Sequence, residues 1–462
     1  MDGFAFWLMS GARHELGVFA QAGFLAFGIE QLLFDLIWLL RAGWRAATVY
    51  RRFDRVTMAT LAAPTAPGRF AVLIGAWDES AVIGTTLSTA LTRWAGGDYR
   101  IYVATYPNDP ATHAAIEAVR TDPDARRRIR IVPGDRPGPV TKAEALNRAW
   151  DALRADEQAE GIRYKAAILH DAEDYVSTHE LRLFDTLVER FALVQIPVRP
   201  LKRAGLAGVA GHYLDEFAEA HGKQLVVREA IGASVPSAGT GCAIARDMLD
   251  ALSAERDGVP FDGESLTEDY ELGLRIDRLG GQGILARLRD KPYGELVAVE
   301  AYFPHHGFAA VRQKARWVTG IALAGWDRMG WQGGPLERWM RLRDRSAPLA
   351  AAVLAAGYAT ILLTLAECAI AWRTGRPGPL LADIDTPIAW LLLLLLAWRL
   401  AMRALLVGRL YGPGEALRSL PRMVVSNLVA IAASARALWR YVADGPPRWD
   451  ATVHTLPDDV AQ

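Results

Sequence analysis

The chain has 462 residues, a formal net charge of zero and 51% hydrophobic residues. That length exceeds one compact core, so two or more structural units are expected, and bulk neutrality points to neither nucleic acid nor an acidic partner. Cys242 and Cys368 stand far apart, which excludes a disulfide framework or a zinc site; both read as small buried hydrophobes.

The N-terminus has no basic start and no small-residue cleavage site, which argues against a removable signal peptide. Leu16 to Leu40 is long enough to cross a bilayer, for which about 20 residues suffice. Arg41, Arg45, Arg51, Arg52 and Arg55 crowd its end. Arginines are retained on the cytoplasmic side, so the N-terminus is expected outside and residues 41–346 inside. Glu30 and Asp35 fall within this span, where unpaired acids are costly. Residues 1–67 thus read as a transmembrane helix with a basic linker, hinged at Pro64 to Gly68.

Residues 68–305 alternate short apolar runs with helical patterns. Phe70 to Ala76, Tyr99 to Ala104, Ile129 to Val132, Ala166 to Leu169 and Leu193 to Val198 read as strands. Ala81 to Trp94, Pro110 to Val119, Lys142 to Leu153 and His179 to Arg190 read as helices. The order implies an α/β domain with a mostly parallel sheet and right-handed crossovers. Ligands on such sheets bind beyond the carboxyl ends of the strands, and the polar clusters fall there.

Asp109-Pro110 suits a helix cap followed by proline at the first helical position. Thr141 with Glu144 reads as a capping box, and Lys142 inside it could stand beside a diphosphate. Asp171-Ala172-Glu173-Asp174 ends a buried strand. Alternate residues of an extended segment point the same way, so Asp171 and Glu173 could share one hard cation, Mg²⁺ or Mn²⁺. A solvated acidic loop leading to a helix capped by Ser177 and Glu180 explains part of this stretch, though not three acids at a strand end. Thr267-Glu268-Asp269 opens a helix, and on spacing alone its acids do no more than favour the helix dipole. The alternative makes Asp269 a general base. His305 and His306 lack further metal-ligand spacing and read as structural.

Residues 306–346 carry Arg312, Lys314 and Arg316 on an amphipathic pattern with Trp317, the form of an interfacial helix. An arginine fork there could also bind a diphosphate. Residues 347–442 hold two further spans, Ala347 to Trp372 and Thr386 to Val407. Met423 to Val442, with Asn427, Arg436 and Arg440, could cross or lie flat. Arg399 and Arg403 lie one helical turn apart. Their depth matches Glu30 and Asp35, so Glu30–Arg399 and Asp35–Arg403 pairs are expected. Residues 443–462 form a cytoplasmic tail.

In order, Trp77-Asp78-Glu79, Asn108-Asp109, Asp171-Ala172-Glu173-Asp174, Thr267-Glu268-Asp269 and Gln313-x-x-Arg316-Trp317 resemble the membrane-type family 2 glycosyltransferases, the group that includes cellulose and hyaluronan synthases. Asp215-Glu216-Phe217 and Ser265 to Tyr270 extend the likeness, which runs from about residue 20 to Trp449-Asp450. The resemblance implies a GT-A nucleotide-diphospho-sugar transferase domain in the cytoplasm, with transmembrane and interfacial helices at a bacterial inner membrane. It implies a nucleotide border of Ala76, Trp77, Glu79 and Asp109, with Lys142, Asp171 and Arg316 toward the diphosphate. The metal-binding acids would be Asp171 and Glu173, and the catalytic set Asp269 with Glu268 and Thr267. Gln313 and Trp317 would receive the growing end, and Thr240, Gly241 and Cys242 would line the sugar pocket. The metal motif reads Asp-x-Glu where the family has Asp-x-Asp. The chain stops soon after Trp449, which argues against control by a cyclic dinucleotide through a C-terminal domain.

The expected activity is inverting, processive polymerisation of a UDP-hexose or UDP-N-acetylhexosamine into an exopolysaccharide, passed to an outer-membrane exporter protein. A single-sugar transfer to a lipid carrier and a non-catalytic platform for secretion or phage entry stay open. No residue in the sequence separates one sugar from another.

Overall fold

The structure, a computed structural model, describes residues 3–205, 208–375 and 386–443. The expected tail and Trp449-Asp450 lie outside the described residues.

One seven-stranded sheet organises the soluble part. Its strands are β1 (Phe70–Gly75), β2 (Tyr99–Thr105), β3 (Ile129–Pro133), β4 (Ala166–His170), β5 (Leu193–Gln195), β7 (Cys242–Ala245) and β8 (Gly283–Leu285), in the order β3-β2-β1-β4-β7-β5-β8. A separate parallel pair joins β6 (Val198–Pro200) to β9 (Val299–Ala301). β1, β2, β3 and β4 run parallel, whereas β7 runs antiparallel to both β4 and β5. This is the mixed sheet of a GT-A-like fold, with one more antiparallel strand than the sequence pattern suggested.

Both faces of the sheet are covered. Phe70, Val72 and Ile74 of β1 pack with Ile83, Leu87, Ile116 and Phe184 on one side. Ala71 and Leu73 pack with Leu146, Trp150 and Leu272 on the other. Period-two alternation thus feeds two cores, which is why these strands read as unbroken apolar runs. The expected strand Leu193 to Val198 is split after Gln195, because Pro197 has no N–H to continue a ladder. Helix Pro110–Val119 has the expected bounds, and Asp109 accepts the Thr112 N–H as its cap. Lys142–Glu160 runs past Leu153, with Thr141 capping its start and Gly161 in the left-handed region at its end.

Among the described residues, four helices are long and apolar enough to cross a membrane: Phe6–Ala47, Ala347–Thr374, Pro387–Tyr411 and Pro413–Ala443. The first packs against both the second and the third. The fourth also lies along helix Gly307–Val318, where Ala315 meets Ala433 and Ala437. Cys242 is buried as expected, but Cys368 is exposed on helix Ala347–Thr374.

The expected ion pairs inside the bilayer are not formed. Glu30 is bound by Arg343 and by Trp339 Nε1 at 3.2 Å. Asp35 is bound by Lys223 Nζ at 2.5 Å and Trp398 Nε1 at 3.0 Å. Arg399 and Arg403 instead reach Glu219, at 2.5 and 3.2 Å, and Arg403 also reaches Asp215 at 3.1 Å. The first and third spans do touch, as depth matching implied. Helix Gly208–Glu219 with the turn Ala220–Gln224 after it, and helix Pro335–Arg345, wedge in at this level and bring nearer partners.

Candidate active site

Beyond the carboxyl ends of β1 and β4 lies one cavity. Its walls include Ala76, Trp77, Glu79, Lys142, Asp171, Glu173, Thr240, Thr267, Glu268, Asp269, Gln313, Arg316 and Trp317. Segments 241 residues apart in sequence, from Ala76 to Trp317, therefore converge.

The acidic segment after β4 is held from beneath. Asp174 accepts from His170 Nδ1 at 2.9 Å, from the Asp171 N–H at 2.8 Å and from Thr240 Oγ1. His170 Nε2 meets Glu180 at 3.0 Å. Burial disfavours the imidazolium, but Glu180 and Asp174 outweigh it and push the His170 pKa up to about 10. Asp174 is thus consumed by structure, which leaves Asp171 and Glu173 at the cavity wall.

Asp269 sits in the first turn of helix Glu268–Arg278, whose N-cap is Thr267. Its Oδ1 accepts the Tyr270 N–H at 2.7 Å. Its other oxygen lies against Gly239, where an added Cβ would stand 2.5 Å from Oδ2. Gly239 has φ of +75°, so both the conformation and the close approach call for glycine there. The Gly239 carbonyl accepts from Lys142 Nζ at 2.9 Å, and the same ammonium binds Asp171.

Charge is unbalanced here. Burial pushes Glu268 up to about 8, with Asp269 adding repulsion. Burial also raises Asp269. Burial works against the Lys142 ammonium, yet Asp171, Glu268 and Asp269 hold its pKa above the ordinary value. Burial lowers Arg316, against the pull of Glu268, Asp269, Asp171 and Glu173. Acids outnumber cations at this wall: Glu79, Asp171, Glu173, Glu268 and Asp269 face Lys142 and Arg316. An all-oxygen set carrying excess negative charge fits a hard divalent cation. Such a wall can bind a diphosphate through its cations and take a proton through its acids.

Three expected site residues fall outside the cavity lining. Asp109 spends one oxygen on the Thr112 N–H at 3.1 Å and the other on the Asp78 N–H at 2.6 Å. Gly241 and Cys242 lead into and open β7, and Cys242 is buried at the sheet centre. Sequence reasoning also missed lining residues: Tyr106, Pro139 and Val140 on one side, Phe217 and Phe303 on the other. Phe217 and Phe303 rings are 4.8 Å apart, and Trp317 meets Phe217 edge-on at 6.4 Å. Gln195 was missed as well. Its buried amide donates to the Thr240 and Gly241 carbonyls at 2.9 and 3.1 Å and accepts the Ala238 N–H at 2.8 Å, fixing the 238–241 loop. Asp109-Pro110 carried a legible capping signal and Phe217 stood in a motif of the resemblance without a role, whereas Phe303 and Gln195 carried none.

Buried polar atoms at the cavity add a second signal. Among the described residues, Trp77 Nε1, Thr267 Oγ1 and Gln313 Oε1 have no hydrogen-bond partner. Each unmet bond costs about 1–3 kcal/mol, which a ligand in the cavity could recover, although similar atoms also occur elsewhere, at Tyr99, Tyr175 and Arg275 among others.

The geometry agrees with three comparisons. The chain is 34% identical to bacteriophage adsorption protein B of Escherichia coli strain K12 and to bacteriophage N4 adsorption protein B of E. coli O157:H7. Each alignment covers 99% of this chain but 64% of the relative, so the chain spans under two thirds of their length. A mannosyltransferase from Pyrobaculum calidifontis, solved in complex with GDP-Man and Mn²⁺, matches at a TM-score of 0.52 and 19% identity, over 91% of this chain and 99% of that one. At that identity the likeness speaks for the fold alone. Residues 67–320, more than half the chain, match the family described as "Glycosyltransferase like family 2", and the chain belongs to that family of glycosyltransferases.

Proposed function

We propose that the chain is an inverting, metal-dependent transferase that extends a polysaccharide from a nucleotide-activated sugar at the cytoplasmic face of the bacterial inner membrane. The observation that carries this reading is that Asp171, Asp269 and Arg316 line a single cavity beside the membrane helices. We divide the chain at 67, 305, 346 and 442, with the transferase domain at 68–305 and the interfacial segment at 306–346.

Asp171 and Glu173 would hold the Mg²⁺ or Mn²⁺ ion. When bound, such an ion offsets the charge that develops on the departing diphosphate. Trp77, Glu79 and Tyr106 border the nucleotide. The Arg316 fork binds diphosphate oxygens, and Lys142 adds a second positive charge. The Asp269 carboxylate takes the proton of an acceptor hydroxyl. That oxygen bonds to the anomeric carbon from the side opposite the diphosphate, while the bond to the diphosphate oxygen breaks, leaving with its electron pair. Trp317, Phe217 and Phe303 offer faces for the acceptor sugar, and Thr267 and Gln313 offer hydrogen-bonding groups. Glu268, held protonated near neutral pH, adds no further negative charge. Donors of the hexose or N-acetylhexosamine class fit a site of this polarity. That the relatives are named for phage adsorption accords with a product displayed at the cell surface.

Membranes carrying the wild-type chain are incubated with labelled nucleotide-sugars, and products are sized on a gel. Long products support polymerisation, and single additions favour transfer to a lipid carrier. Asp269→Asn keeps an oxygen for the Tyr270 N–H and should lower incorporation about 10²- to 10⁴-fold. Near-normal incorporation by a folded variant would sink the assignment.

A further inference from the structure

At the cytosolic ends of two spans, arginines outnumber acids, with Glu229 facing Arg41 and Arg45. Arg45 lies in the last turn of helix Gly3–Ala47, and Arg409 in the last turn of Thr386–Tyr411. The two helices run side by side in the same direction, since Gly28 meets Leu395 and the Arg409 guanidinium lies 5.2 Å over the Trp38 ring. The linker that follows is strapped to the soluble domain: the Met58 and Ala59 N–H groups donate to the Arg289 and Asp290 carbonyls at 2.8 and 3.1 Å. That strap sets Arg55 beside the loop that carries Arg287 and Arg289. Arg55 also stacks 4.2 Å over Tyr50, whose hydroxyl accepts from Arg45 at 2.8 Å.

Among the described residues, no carboxylate forms an ion pair with Arg45, Arg55, Arg287, Arg289 or Arg409. The nearby acids are otherwise engaged or solvated. Glu229 accepts the Leu285 N–H at 3.0 Å, Asp290 accepts the Lys291 N–H at 2.7 Å, and Asp54 is exposed. The Arg287 side chain is exposed; its pKa is lowered by partial desolvation and by its charged neighbours Arg289, Arg409 and Arg55, which all act in the same direction. Like charges held together in this way call for an anion. Beside them, Trp44 and Phe53 are 63% and 68% exposed. An anion that arrives with its own apolar surface would cover both features at once, which is the chemistry of a phospholipid and not of free phosphate.

We propose that Arg55, Arg287, Arg289 and Arg409 form a binding site for the phosphate headgroup of an anionic phospholipid of the cytoplasmic leaflet, with Trp44 and Phe53 against its acyl boundary. The site bridges two spans, the linker and the soluble domain, so bound lipid fixes the domain on the membrane surface. The inference rests on these helices crossing a bilayer and is independent of which sugar is transferred.

The test uses the full chain, first washed in alkaline carbonate on membranes, then purified in detergent. Phosphatidylglycerol retained per protein is measured by mass spectrometry, and the melting midpoint is followed as phosphatidylglycerol, phosphatidylcholine or inorganic phosphate is added. Wild type should retain phosphatidylglycerol and be stabilised by it alone. Each arginine near a membrane surface is worth about five-fold in affinity. Arg287→Gln with Arg409→Gln should therefore need about 30-fold more phosphatidylglycerol for the same stabilisation. Arg418→Gln removes an exposed arginine that already pairs with Glu415 at 2.8 Å and should change nothing. Equal lipid affinity in the double variant and wild type overturns the site. Equal stabilisation by inorganic phosphate overturns the lipid as its occupant. Release of the chain into the carbonate supernatant overturns the membrane-crossing premise, and is distinguishable from insertion with unselective lipid retention, which overturns the site alone.

Discussion

Gly239→Ala tests the cavity through one methyl group. The glycine has φ of +75°, and its added Cβ would stand 2.5 Å from Asp269 Oδ2 and 3.1 Å from Cγ. Ordinary contact needs about 3.5 Å, so the carboxylate or the loop must yield by about 1 Å. The positive φ adds about 1–2 kcal/mol of strain. A shift of about 1 Å at a reacting group costs about 10² in rate. The variant is therefore expected to lose kcat about 100-fold while its KM for the donor changes little. Gly161→Ala is the matched control: its φ is +66°, and its Cβ would meet nothing within 4 Å. It should lose similar stability and keep full activity. Transfer of labelled sugar and thermal unfolding are measured on both. If Gly239→Ala turns over like Gly161→Ala, Asp269 does not act at this position.

Washing membranes with a chelator should stop sugar transfer, and Mn²⁺ or Mg²⁺ should restore it; transfer that survives chelation would remove Asp171 and Glu173 from the ligand set. Lys142→Met leaves Asp171 without its ammonium. Since that side chain keeps 16% exposure, the expected stability loss is about 1–3 kcal/mol, at the low end for a broken pair, with weaker donor binding read from KM. Burial pushes His221 down to about 3, with Arg287 adding repulsion. The group stays neutral in the fold but takes a proton when unfolded below about 6.5. Stability should then fall as pH drops from about 6.5 toward 3, with a slope of up to about 1.4 kcal/mol per pH unit. His221→Asn keeps an acceptor for the Val198 N–H, 3.3 Å from Nδ1, and should flatten that slope in denaturation curves; an unchanged slope would exonerate His221. Asp35→Ala removes the nearer of the two carboxylates on buried Lys223 and leaves Glu219 at 3.9 Å, so it should cost less than the full loss of a buried pair, about 1–3 kcal/mol, while Asp35→Leu with Lys223→Met should recover most of it. A double-mutant cycle that shows no coupling would refute the pairing.

What the sequence disclosed was local. Asp109-Pro110, Thr141-Lys142 and the apolar runs of β1, β2 and β4 announce their structure within a few residues, and they were legible. The partners of charged groups were not. Glu30 and Asp35 pointed by depth to Arg399 and Arg403, and the depth argument was sound for the helices. It could not foresee that Arg343 and Lys223, nearly 200 or more residues away, would arrive first. Gly239 to Cys242 looked like one pocket loop, but Cys242 begins an antiparallel strand between β4 and β5. Strand pairing across 70 residues leaves no local mark. Phe217 stood in a motif that extends the resemblance but pointed to no role, and Phe303 gave no signal, because an aromatic in a helix or beyond a strand is ordinary core until a cavity opens beside it.

Helix Gly208–Glu219 explains why the charges on the long apolar helices are tolerated. Residues four apart share a helix face, and Asp215 and Glu219 turn one face to the spans. Asp215 accepts from Arg422 at 2.6 Å and from Arg403 at 3.1 Å, and Glu219 takes Arg399. The neighbouring face turns to the Gln-x-x-Arg-Trp helix, where Glu216 binds Lys314 and Phe217 meets Trp317. Breaking either set would strand buried charge, at a cost of several kcal/mol. The helix is therefore held from both sides, and a tilt of the third or fourth span must move Glu216 and Phe217 with it. Lys314 and Trp317 bracket Arg316, so the position of the arginine at the cavity depends on ion pairs formed with the third and fourth long apolar helices.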